Sequence, residues 1–215
     1  MRTDLNQPTA SRAAPGTRRT RFFLASALLV LVASFALGGE CIAHPSASDS
    51  AAPAYIETGI RGVALTNAKS GEHFLEKNGI GTTSDDGLVH IFYSNTSGSE
   101  ILDLVRHPGD VRDSFSEMTI LSSDCFPLGT PETANKEFVS SKGVKLGLRT
   151  SEVRQVLGKP HEVRTGKSGR TKYKYSCNDP AKCPSLARYN LPTYTAIAEF
   201  LRGRLVRYSF GYDYP

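Results

Sequence analysis

The stretch Gly143-Val144-Lys145-Leu146-Gly147-Leu148-Arg149-Thr150-Ser151-Glu152-Val153-Arg154-Gln155-Val156-Leu157-Gly158-Lys159-Pro160 sets the reading of the whole chain. Thr150 has the side chain of an N-cap, and Glu152 falls in the first turn, where the helix dipole favours a carboxylate. Val153, Val156 and Leu157 recur at helical spacing and predict one buried face. Gly158 ends the helix and Pro160 forbids its continuation. A short helix with a hard stop, set among strands, predicts an α+β fold.

Four strands are predicted downstream, at about Glu162–Thr165, Thr171–Ser176, Thr193–Leu201 and Leu205–Tyr212. Lys167-Ser168-Gly169-Arg170 and Arg202-Gly203-Arg204 supply turns between them. In the second of these strands Tyr173 and Tyr175 share one face and Lys172 and Lys174 the other. In the last, Val206, Tyr208, Phe210 and Tyr212 line up as an aromatic row, expected to be core under the helix. Upstream, Ile56–Leu65, the weaker His73–Glu76, Leu88–Tyr93, Ile101–Arg106 and Phe115–Leu121 read as strands of an antiparallel meander. Asn95-Thr96-Ser97-Gly98 and His107-Pro108-Gly109-Asp110 are turns by composition. Between the halves, Thr130-Pro131-Glu132 offers an opening for a short helix, with Pro at its first position.

The opening stretch resembles the entry motif of the SmpA/OmlA (BamE-like) fold family. The likeness rests on Gly143, Gly147-Leu148, the helix with its central Val, and the Leu157-Gly158-Lys159-Pro160 exit. Tyr173-Lys174-Tyr175 and Ala198-Glu199-Phe200-Leu201-Arg202-Gly203 fit the later strands of that family. It covers about residues 138–215, and a β-rich segment precedes it. The resemblance implies a small α+β domain with the helix laid on an antiparallel sheet, which scaffolds partners at the bacterial envelope or, in the β-lactamase-inhibitor branch, plugs an enzyme.

Arg2, Arg12, Arg18, Arg19 and Arg21 precede sixteen apolar or small residues, Phe22–Leu37, in the pattern of an export signal. Cleavage after Ala43 would leave a chain beginning at His44; retention would leave a single N-terminal anchor. The expected organisation is therefore a signal over 1–43, a flexible tether over 44–54, a β-rich region over 55–121, a joint over 122–141 and the BamE-like domain over 142–215. The leader carries five Arg against Asp4 and Glu40, +3 of the chain's +5. The overall basicity is thus mostly a targeting feature, and nucleic acid is not an expected partner. What remains is divided: residues 44–158 hold ten basic and fifteen acidic side chains, and residues 159–215 hold eleven and four.

Chemistry-bearing motifs are few. Cys177 and Cys183 bracket a Pro-containing loop and form a natural disulfide in an oxidising compartment. Cys125 is left as a buried thiol, a partner for another loop cysteine or an intermolecular bridge; with His107 it is also a conceivable nucleophile and base. No metal site, cofactor or phosphate loop is expected. Lys172, Lys174, Arg202, Arg204 and Arg207 make a candidate basic face for an anionic partner, such as lipid headgroups or an acidic protein. The expectation is an exported, non-enzymatic envelope protein of scaffold or interaction type, contacting envelope proteins and anionic headgroups. An exported inhibitor or ligand-binding module of the same fold is the alternative, and a cysteine-dependent periplasmic enzyme a third.

Overall fold

The computed structural model describes residues 52–85, 87–123 and 130–213. The leader, most of the tether and Cys125 lie outside the described residues. A two-residue hairpin, β1 (Gly59–Ile60) and β2 (Val63–Ala64), is followed by helix α1 (Ala68–Asn78). Strands β3 (Thr82–Asp85), β4 (Val89–Ser94), β5 (Glu100–Arg106) and β6 (Glu117–Ser122) come next. Helix α2 (Thr150–Leu157) leads into β7 (Glu162–Thr165) and β8 (Arg170–Cys177). Helix α3 (Pro184–Tyr189), β9 (Thr193–Leu201) and β10 (Arg204–Asp213) complete the chain. β3 to β10 form one eight-stranded sheet, antiparallel throughout, in the order β3-β4-β5-β6-β10-β9-β8-β7.

The order contains a repeat. A helix followed by a four-stranded meander occurs twice, and the last strands of the two meanders, β6 and β10, pair at the centre. The equivalence reaches single residues. Each helix stops at a glycine with positive φ, Gly79 at 76° and Gly158 at 82°. In each half a buried tyrosine of the second strand donates to that glycine's carbonyl: Tyr93 to Gly79 at 2.7 Å, Tyr175 to Gly158 at 3.4 Å. The segment 122–141 therefore joins two halves of a single sheet. It remains irregular where described, with Glu132 bridged to Ser94 and no helix at Thr130.

Both helices lie on the same side of the sheet. Phe74 of α1 meets the Tyr93 ring edge-on at 5.1 Å. Val153 and Leu157 of α2 join one core with Tyr173, Tyr175, Phe200, Tyr208 and Phe210. Val156 is only partly buried against that core, so the apolar face of α2 is narrower than its spacing suggests. The N-cap is Arg149 and not Thr150; Glu152 reaches back to accept from the Arg149 N–H.

Three other expectations are corrected. His73–Glu76 belongs to α1, not to a strand: Asn67 caps the helix by accepting from the Ser70 N–H. Gly71, mid-helix, lowers the helical signal. It is nonetheless required, because a Cβ there would lie 1.8 Å from the Asp113 carbonyl oxygen. Ile56–Leu65 forms only the short hairpin. In β10 a register shift between Leu205 and Arg207 takes Val206 out of the aromatic row, and Leu205 replaces it in the core.

Cys177 and Cys183 are bonded. Closing so short a loop contributes about 2 kcal/mol in the chain-entropy account. Cys183 is also the N-cap of α3, and Pro184 its first residue.

Candidate functional site: the open face of the sheet

Opposite the helices, no described helix or strand packs on the sheet, and strand alternation with the pairing register places the side chains there in rows. One row runs Arg164, Lys172, Glu199, Arg207, Leu121 across β7, β8, β9, β10 and β6. The next runs Glu162, Lys174, Ile197, Ser209, Thr119, Asp103, Phe92. In β5 and β6 this side carries buried Ile101, Asp103, Val105 and Thr119. Towards β7–β9 it opens: Arg164, Lys172 and Arg207 are exposed, and Lys174, Ile197 and Glu199 are half-buried. The accessible part is therefore the C-terminal half.

Charge is ordered on this face. Lys172 Nζ lies 2.9 Å from Glu199 Oε1, and Arg164 pairs with Glu162 on its own strand. Arg164 and Lys172 stand directly opposite each other in register. Such a like-charge pairing disfavours the sheet. Acidic groups gather at the other end. His90 Nδ1 lies 3.0 Å from both carboxylate oxygens of Asp103. Asp213 accepts from the Thr195 hydroxyl at 3.0 Å. Burial, reinforced by Asp103, holds the Glu117 carboxyl above the usual carboxylate range against the pull of Arg207.

The five cations read as a basic face do not stay together. Lys172, Lys174 and Arg207 share the open face. Arg202 sits on the β9–β10 turn with φ 49°, and the Arg204 guanidinium donates to the Gly147 carbonyl at 3.0 Å. Arg164 and Arg170, which strand pattern alone did not single out, join Lys172 around a cavity of about 310 Å³ at the β7–β8 hairpin. Alternation in Glu162–Thr165 was the signal for Arg164; only its register against β8 brings it beside Lys172.

On the helix side, a cavity of about 470 Å³ lies beside the hairpin segment and α3. Glu57 lines it, with 1% of its surface exposed. Its carboxylate accepts from the Ser140, Ser141 and Tyr208 hydroxyls and the Lys142 N–H at 2.6 to 3.0 Å, so its role is to tie the chain together. Burial pushes the Tyr194 and Tyr208 hydroxyls well up, keeping them neutral donors. The His107–Asp110 turn is as expected, with the His107 N–H donating to Asp110 Oδ2 at 2.8 Å. Among the described residues there is no group of three or more His, Cys, Asp or Glu side chains placed to hold a metal ion. Comparison with protein-family models, with curated proteins and with solved structures finds no match to the chain.

Proposed function

We propose that the protein is an exported, BamE-like interaction module that docks another envelope protein on the β7–β10 end of its open sheet face. The observation that carries this reading is the face itself: four hydrogen-bonded strands turn a mixed row of cations, carboxylates and half-buried Ile197 outward. β7 to β10 have 4, 8, 9 and 10 residues, and at about 3.4 Å rise and 4.8 Å spacing they present roughly 500 Å², close to the roughly 600 Å² per partner of a small protein–protein contact. A flat surface of that size and mixed charge suits a protein better than a small molecule, which needs concavity. Interleaved Glu162 and Glu199 also favour a protein partner over a uniformly anionic membrane, because they repel headgroups beside Arg164 and Lys172.

Support for the BamE-like reading is the unit α2-β7-β8-α3-β9-β10, in which a helix closed by Gly158 is laid across four antiparallel strands. Support for export is the Arg-rich, apolar leader together with the Cys177–Cys183 bond. Such a bond suits an oxidising compartment. The mature protein is expected to begin near His44, and intact mass of the native protein checks that.

A photo-crosslinker placed at Ile197 should capture a defined envelope protein in living cells, and one placed at Gln155 on the exposed side of α2 should not. Capture of membrane-assembly components marks a scaffold, and capture of one soluble enzyme marks an inhibitor. No capture at Ile197, or equal capture at both positions, rejects the docking face.

A further inference from the structure

The cavity of about 310 Å³ at the β7–β8 hairpin has features that protein docking does not require. It is lined by Arg164, Gly166, Arg170, Thr171, Lys172 and Glu199. Three cations and one carboxylate leave a formal charge of +2 on its walls. Glu199 is engaged with Lys172, and Arg164 with Glu162, whereas Arg170 makes no ion pair among the described residues. Arg164 and Lys172 face each other across the strands. A bound anion would relieve that like-charge opposition.

We propose that this cavity binds a phosphomonoester. The charge decides the class: a phosphate monoester carries about −1.5 to −2 at neutral pH and balances the walls, while a carboxylate leaves one positive charge over. Geometry agrees. Planar guanidinium groups match phosphate oxygens two at a time, and the lysine adds a point charge. Volume excludes bare phosphate as the whole ligand, because a cavity near the lower end of small-molecule pockets, roughly 300 Å³, leaves room for the organic body of the ester. The ester has two possible sources, a soluble organic phosphate or the headgroup of a phosphomonoester lipid.

The full-length mature protein is titrated with phenyl phosphate and, in parallel, with benzoate, following the backbone amides of Arg170, Thr171 and Lys172 by NMR and heat by calorimetry. Phenyl phosphate should saturate these shifts. Benzoate should bind at least about tenfold more weakly, because it offers one charge-assisted hydrogen bond fewer. R170Q, at an exposed hairpin position, should weaken binding by about tenfold or more with the melting temperature unchanged. Vesicles containing phosphatidic acid, compared with phosphatidylglycerol vesicles of equal charge, separate the sources. Preference for phosphatidic acid, with phenyl phosphate inert, assigns the headgroup; saturation by phenyl phosphate assigns a soluble ester. The site is refuted if neither probe saturates by about 10 mM, a range that reaches affinities too weak to matter. Equal binding of benzoate, or full affinity in R170Q, refutes it too. Partner capture at Ile197 without any phosphate response would retain the docking face and remove this site alone.

Discussion

At Glu57 and Glu117 burial acts on two carboxylates with opposite consequences. Glu57 accepts from three hydroxyls and one backbone N–H, and it joins the chain at residue 57 to the loop at 140–142 and to β10. Removing the acceptor would leave the buried Ser140 and Tyr208 hydroxyls without it, each costing about 1–3 kcal/mol, against a total stability of about 5–15. Glu57→Ala should therefore unfold the protein or lower its midpoint in urea sharply, with Glu57→Gln intermediate. For Glu117 desolvation dominates, and its folded pKa is raised, first by burial and then by Asp103. A raised carboxyl favours the protonated folded state. Its contribution to stability is present at acid pH and is lost as pH rises through the folded value. Glu117→Gln should accordingly raise the melting temperature at neutral pH. That gain should shrink as pH falls through the carboxylate range, and a pH series of thermal melts on both proteins checks the sign.

Helix α2 shows what spacing does and does not decide at the scale of an element. Val153, Val156 and Leu157 all fall on one helical face, but α2 approaches the sheet through Val153 and Leu157, leaving Val156 half-buried. Burying a carboxylate at Val153 should cost several kcal/mol and abolish folding. Val156→Asp should lower the melting temperature by less, and Arg154→Asp, on the exposed side, should leave it nearly unchanged. Equal effects at 153 and 154 in the same melts would contradict the observed helix phase. Helix α1 was hidden for a related reason. Its central Gly71 counts against a helix by propensity. Only the close approach of the Asp113 backbone makes glycine necessary there. α3 was hidden because a disulfide and a proline start it, in a stretch whose composition is that of a loop.

Over the whole molecule, the pairing of β6 with β10 makes one sheet of two similar halves, and the described residues form one compact unit. Unfolding should then be a single cooperative transition. Amides of β5 in the first half and β9 in the second should exchange with the same opening free energy under conditions of global unfolding. Two separable exchange classes, one for each half, would show that the joint at β6–β10 does not couple them. By itself the sequence determined the strands from Leu88 to Leu121 and from Glu162 to Tyr212, the stop of α2 at Gly158, and the Cys177–Cys183 pairing. These depend on period-two alternation, turn residues and short loop closure, all local to a few residues. The tertiary structure alone decided that the two halves share a sheet, that Arg164 comes directly opposite Lys172, and that Arg204 turns away to Gly147. Those outcomes depend on register between strands, with β6 and β10 far apart in the chain, on the bulge at Val206 and on which sheet face the helices cover, and none of these leaves a periodic trace in a single strand.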